Sequence, residues 1–104
     1  MGGSGSGGYT PSAPSSPCSR LSFQATLNSP KASVLAQLQE GSVLEVELDS
    51  SGKSVEVLFK SQVAGSVTGS KVAQLINCLT SGFTFRAVVV TLTGGQCLLR
   101  IEPA

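Results

Sequence analysis

Short segments in which apolar and polar residues alternate run through most of this chain and constrain its fold more than any other feature. A period of two places successive side chains on opposite faces of a strand, so each segment predicts a strand with one buried face. Turns rich in Gly, Ser and Asp separate several of the segments, as in antiparallel hairpins. Six segments show the pattern: residues 21–27, 44–48, 55–60, 63–67, 83–92 and 97–102.

Two other segments have apolar residues at helical spacing. In residues 72–79 they recur at positions i, i+3, i+4 and i+7, which predicts a helix with Ser70 as its cap. A shorter helix is expected to be capped by Ser29, to open at Pro30 and to end at Gly41.

The predicted fold class is α+β, mainly β: a six-stranded, strongly bent antiparallel sheet or small barrel with one main helix and one short helix. Short loops between the strands favour this arrangement, with the main helix against one side or end of the sheet. Residues 1–18 are almost entirely Gly, Ser, Pro, Thr and Ala, which predicts a flexible tail. Residues 19–104 are long enough for a single β-rich domain with one core.

Charge and residue usage exclude several classes of function. Seven Lys and Arg against six Asp and Glu leave a net charge of +1, so nucleic-acid binding would require a local basic patch. The chain contains no histidine, the commonest general base at neutral pH and the commonest metal ligand. We therefore predict that the protein is not an enzyme and that it uses no metal or other cofactor.

The three cysteines, Cys18, Cys78 and Cys97, are far apart in the sequence and include no CxxC pair. This spacing gives neither a disulfide framework nor a zinc site, so we predict reduced thiols, with Cys78 and Cys97 as small buried hydrophobes. The sequence also shows no secretory signal and no apolar run of about 20 residues. Together these features predict a cytoplasmic protein that does not associate with membranes.

The segment from Gly65 to Val72 lies between a predicted strand and a predicted helix, where a phosphate-binding loop would lie. Such a loop has four residues between its glycines and a Ser or Thr after its Lys. Here three residues separate Gly65 from Gly69, and Val72 follows Lys71. We interpret the segment as a turn and a helix cap, with Lys71 exposed to solvent.

The last predicted hairpin carries the best candidate for a binding surface. Its members are Phe83, Phe85, Arg86 and Arg100. Aromatic rings can stack on bases and guanidinium groups can bind phosphates. Lys60 and Lys71 would extend this patch if the fourth strand runs beside the start of the main helix. The alternating spacing of the two phenylalanines is also typical of core residues, and the arginines would then only cover the rim.

Glu45, Glu47 and Glu56 lie on the polar faces of the second and third predicted strands. Paired carboxylates can act as general acid and base, or with Asp49 could bind a metal ion. These acids belong to no recognisable pocket and lack the spacing of a metal-binding loop. We interpret them as charged residues that keep an exposed face soluble.

Residues Val63–Val67, followed by Val72–Ile76 and by Gly82 before a strand, resemble the later half of a HIRAN-type domain. In that family a strand and a Gly-Tyr-Leu-Pro-like turn lead into a helix of the form Ala-x-x-Leu-x-x-x-Leu. The resemblance implies a small β-barrel that binds single-stranded DNA ends. Ser66–Thr68 replaces the aromatic-leucine-proline turn and the family's Asn-Pro-x-Asp-x-x-Ala stretch is absent, so no contact residues carry over. The chain also resembles small bacterial proteins with a Gly-rich start.

The sequence therefore predicts a non-enzymatic binding or accessory module, with single-stranded nucleic acid as its candidate partner. The residues expected to bind it are Arg86, Arg100, Lys71, Lys60 and Phe85. The alternative is a protein-interaction or assembly domain, in which an exposed sheet edge pairs with a strand of another protein.

Overall fold

The computed structural model describes residues 17–104, which form a short 3-10 turn at Pro17–Arg20, six strands and two helices. In chain order the elements are β1 (Phe23–Asn28), α1 (Ala32–Leu35), β2 (Val43–Leu48), β3 (Val55–Phe59), β4 (Gln62–Val67), α2 (Val72–Thr80), β5 (Phe85–Thr93) and β6 (Gln96–Pro103). This order confirms the prediction. Most of the predicted tail lies outside the described residues, but its last two residues belong to the 3-10 turn.

The six strands close into an antiparallel barrel in the order β1-β4-β3-β2-β5-β6, which confirms the predicted fold class. The first strand pairs with the last, with Ala25 of β1 opposite Leu99 of β6. The predicted hairpins β2–β3 and β5–β6 are both present. Closure gives each strand of the described chain a neighbour on both sides.

The two helices lie beside the shortest strand ladders. β1 and β4 share only two residue pairs, and α1 contacts β4. Lys31, just before α1, donates its backbone N–H to the carbonyl oxygen of Ala64 at 2.8 Å. The β2–β5 ladder covers three pairs, and α2 contacts β2. Neither helix of residues 17–104 is long and apolar enough to span a membrane.

Alternate residues of the strands point into the barrel and form one core. In β5, for example, Phe85, Ala87 and Val89 are buried, whereas Arg86 between them is exposed. Burial of each large apolar side chain contributes about 1.5–3 kcal/mol to folding. The largest fully buried side chains are Leu44, Leu75, Leu99, Ile101, Val55, Val57, Val89, Cys78 and Cys97.

α1 is shorter than predicted at both ends. Its N-cap is Lys31, whose extended backbone (φ −89°, ψ 117°) keeps Pro30 outside the helix. Ser29 has a φ of 49° and does not occupy the cap position. The helix also ends before Gly41, whose N–H donates to the carbonyl oxygen of Val89 at 2.8 Å and so aligns the chain with β5.

α2 ends in a Schellman motif centred on Gly82. The N–H of Gly82 donates to the carbonyl oxygen of Leu79 and the N–H of Phe83 to that of Cys78, both at 3.1 Å. Gly82 has a φ of 98°, a conformation that costs glycine little and other residues more. This glycine therefore sets the direction in which the chain enters β5.

Cys18 and Cys78 form a disulfide, with their Cα atoms 5.5 Å apart. The prediction of reduced thiols is therefore wrong for this pair. The two residues are 60 positions apart in the sequence, but closure of the barrel brings the 3-10 turn to α2.

Cys97 is the free cysteine of the described chain and is fully buried, so its predicted role as a buried hydrophobe is confirmed. Burial raises the pKa of its thiol.

Candidate interaction surface

Arg86 and Arg100 lie on the outer face of the barrel and share one carboxylate. Arg86 is directly opposite Glu102 across the β5–β6 ladder, and its Nη2 lies 2.6 Å from Glu102 Oε2. Arg100 Nε donates to the other oxygen, Oε1, at 2.9 Å. The two arginine side chains remain 48% and 47% exposed. They are thus at the surface, as expected for a binding residue, but each already contacts an anion.

The charges on this face balance. Hydrogen bonds from Arg100 and then Arg86 lower the pKa of Glu102, which keeps it ionised. Glu45, which is exposed, lies opposite Arg86 on the other side of β5. Two arginines beside two glutamates have no net charge, so this face does not attract a polyanion over long distances.

Low pH is expected to lower the free energy of unfolding through protonation of Glu102 and Asp49. Asp49 Oδ1 accepts hydrogen bonds from the Ser51 hydroxyl at 2.6 Å and from the Gly52 N–H at 3.0 Å. These and other local hydrogen bonds lower the pKa of Asp49, as the arginines lower that of Glu102. Such a group stabilises the fold above its unfolded-state pKa and loses this contribution as the pH falls through its lower folded-state pKa.

The free energy of unfolding, measured with urea at a series of pH values, should therefore be steady near neutrality and fall below about pH 4. The double variant Asp49→Asn with Glu102→Gln lacks both carboxylates and should show a shallower fall. A fall of equal size in the variant and the parent would contradict this prediction.

The two candidate phenylalanines lie in different environments. Phe85 points into the barrel and is 4% exposed, so its ring is not available to stack on a base. Phe83 lies just after α2 and is 36% exposed. The core interpretation therefore applies to Phe85, and only Phe83 of the two reaches the surface.

Lys60 and Lys71 lie at opposite ends of β4 and do not form one patch. Lys60 occupies the turn before the strand, with its amine 5.3 Å from the centre of the Phe59 ring. Lys71 follows the other end of the strand, whose six residues span about 20 Å. Lys53, which the sequence did not single out, lines the same cleft as Gly69 at the start of α2. It is brought there because β3 pairs with β4.

The outer face also carries an apolar patch that the sequence analysis missed. Its members are Val43 of β2, Val88 and Val90 of β5, and Leu98 of β6, which we call the outer apolar patch. Val43 is 53% exposed and lies opposite Val88. The register shift between Val89 and Thr91 places Val90 in a bulge next to Leu98. None of the four belongs to the core cluster of the described residues.

A signal for this patch is present in the sequence. Both faces of the β5–β6 segment carry large apolar residues, which predicts strands at the centre of a fold. In a closed barrel the inner face of every strand is core and the outer face meets solvent. The second apolar face of this hairpin is therefore on the outside of the barrel, where Val88, Val90 and Leu98 are half-buried beside the exposed Val43.

Of the acidic residues of the β2–β3 hairpin, Glu45 and Glu47 are exposed and Glu56 is half-buried. Glu47 lies directly opposite Glu56, and Glu45 lies opposite Leu58. No group of three His, Cys, Asp or Glu within residues 17–104 is placed to hold a metal ion.

The start of α2 borders a cleft of about 290 Å³, lined in part by Lys53, Ser66 and Thr68. The helix has Lys71 in its cap position, not Ser70, and the Lys71 side chain makes no capping hydrogen bond. No polar or charged side chain of the described residues is buried. The cleft therefore lacks the desolvated titratable group that acid–base or nucleophilic catalysis uses.

No protein family, curated protein or solved structure matches this chain. The resemblance to HIRAN-type domains stays a prediction. The geometry of the outer barrel face is therefore the basis for assigning a function.

Proposed function

We propose that this chain is a non-enzymatic binding module and that its outer barrel face binds a protein. The observation that carries this proposal is the outer apolar patch, in which Val43 is 53% exposed although the barrel has a full core without it. Exposed apolar surface is unfavourable in water and marks interaction sites when it is contiguous. An apolar centre with charged residues around it is typical of protein–protein interfaces.

The contacts of the arginines favour a protein over a nucleic acid. A phosphate would have to compete with Glu102 for Arg86, which contacts that carboxylate through both Nε and Nη2. Binding of single-stranded nucleic acid also uses exposed rings and cations in one groove. Phe85 is buried, and Lys60 and Lys71 lie at opposite ends of β4.

Closure of the barrel changes the expected mode of protein binding. Pairing with an exposed sheet edge needs a row of unpaired backbone groups. Each strand of the described chain has neighbours on both sides, so this row is not available along a whole strand. Side chains of the outer face make the contact instead.

An oxidising compartment suits this chain better than the cytoplasm. The Cys18–Cys78 disulfide supports this assignment, because the cytosol keeps thiols reduced whereas secretory and periplasmic compartments preserve disulfides. The predicted cytoplasmic location depended in part on three reduced thiols, and of these only Cys97 is free.

Site-specific photocrosslinking of the full chain in cells tests the proposed function. A benzophenone amino acid replaces Val43 in one variant and Glu47 in a matched control. Both positions are exposed on β2, but only Val43 belongs to the outer apolar patch. Irradiation should join the Val43 variant to a protein and leave the Glu47 variant free. Adducts from neither position, or equally from both, would refute the proposal.

A titration with single-stranded oligonucleotides at several salt concentrations provides the competing outcome. We expect no binding at physiological salt. Binding that weakens steeply with salt and is lost in the Arg86→Ala, Arg100→Ala double variant would identify a nucleic-acid interface. That result would overturn the assignment to protein binding.

A further inference from the structure

The outer apolar patch and the charges beside it form a surface that is complementary to the same surface on a second copy of the chain. We infer that two copies of this chain pack face to face through this surface as a symmetric dimer. The inference rests on the proposed function, because it names the protein that the outer face binds.

The charge on this face is what assigns the second copy as the occupant. Glu45 is exposed on β2 and forms no ion pair with the described residues. Arg100 contacts Glu102 through Nε, and its side chain is still 47% exposed. In a two-fold interface each residue meets its complement on the other copy. An exposed glutamate and an exposed arginine on one face can therefore form two equivalent ion pairs, one from each copy's arginine to the other copy's glutamate.

The register of the strands shows that the contacts can form together. The relevant side chains form two cross-strand rows on β6, β5 and β2: Arg100, Val88 and Val43 in one row, and Glu102, Arg86 and Glu45 in the next. The two-fold axis of the dimer lies in the plane of this face. It runs diagonally to the strands and passes between Val88 and Arg86. Rotation about this axis sets Arg100 of each copy opposite Glu45 of the other. The same rotation brings each Val43 to Val88 of the other copy.

The two kinds of contact have different effects. Burial of the outer apolar patch supplies the favourable free energy of association. The Arg100–Glu45 pairs lie at its margin, where ion pairs set orientation and specificity more than affinity. A net charge of +1 per chain produces little repulsion between copies.

Sedimentation equilibrium of the full chain tests the inference. The mass should approach twice the 10.6 kDa of one chain as the concentration rises. Val43→Asp puts a charge where Val43 would meet Val88 of the other copy and should raise the dimer dissociation constant at least about tenfold. Glu47→Arg, an exposed charge change on the same strand outside the patch, should leave it unchanged.

A charge exchange tests the predicted orientation. Glu45→Arg and Arg100→Glu should each weaken the dimer, and the two together should restore it, because the exchanged charges again face each other. A thermal melt of each variant shows that the barrel is intact. If the double variant is no stronger a dimer than either single variant, the proposed pairing is wrong.

Three results would overturn the inference. One is a full chain that stays monomeric at hundreds of micromolar. Another is a dimer that Val43→Asp leaves intact. The third is a monomeric chain whose Val43 crosslinks to a different protein, which would leave the proposed function standing and remove only the second copy as its partner.

Discussion

Reduction of the Cys18–Cys78 disulfide should lower the free energy of unfolding by about 4 kcal/mol. The bond closes a loop whose ends are 60 positions apart, and breaking it returns that conformational freedom to the unfolded chain. For a domain of this size the midpoint of thermal unfolding should fall by roughly 15 to 30 °C. Circular dichroism melts with and without a phosphine reductant measure the difference.

Alkylation provides the control for this experiment. The folded protein should not react, denaturant alone should expose one cysteine, and denaturant with reductant should expose three. The double variant Cys18→Ser with Cys78→Ser should melt near the reduced parent and should not respond to the reductant. An unchanged melting temperature after full reduction, verified by alkylation, would show that the bond does not stabilise the barrel.

Gly65→Ala should be the most damaging small substitution, with a loss of about 3 kcal/mol in the free energy of unfolding. A Cβ at this position would lie 2.6 Å from the carbonyl oxygen of Asn28 and 2.9 Å from Leu27 Cδ1. The backbone of Asn28 pairs with β4 at the short β1–β4 ladder, so it has little room to move. Urea unfolding followed by circular dichroism measures the loss.

Gly52→Ala is the matched control. Gly52 has a φ of 74°, and a Cβ added there would have no neighbouring atom within 4 Å, so its substitution carries only the cost of the backbone conformation, about 1 kcal/mol. If Gly65→Ala destabilises the protein no more than Gly52→Ala, the close approach of β1 to β4 does not explain the glycine at position 65.

The strands and the main helix could be predicted because their signals are local. In β5 the alternation of Phe85, Ala87 and Val89 with Arg86 and Val88 places one set of side chains inside the barrel, and no distant contact is needed to recognise it. The cap positions were harder to predict. Ser29 and Ser70 are good capping residues, but in this fold the neighbouring Lys31 and Lys71 occupy those positions.

The disulfide could not be derived from cysteine spacing. A bond between Cys18 and Cys78 depends on how the first turn and α2 approach each other after the barrel closes, which is a long-range property. Spacing rules identify small cysteine frameworks and metal knuckles, where the chain between the cysteines is short.

Only part of the candidate surface was accessible to sequence analysis. Arg86 and Arg100 are at the surface as predicted, but their shared contact with Glu102 was missed. Glu102 is two positions after Arg100 on one strand, so the period of two already places both on one face. The exposure of Val43 beside Val88 depends on the pairing of β2 with β5, which local patterns do not reveal.

Pairing of β1 with β6 has a consequence for how the chain folds. β2, β3 and β4 are joined by short turns and can pair early. β1 gains β6 as its second neighbour only after this last strand has been added to the sheet. Contacts of such long sequence separation give folding times of milliseconds to seconds. During that interval the inner faces of β1 and β5 are open to other unfolded chains, so the yield of refolding should depend on protein concentration.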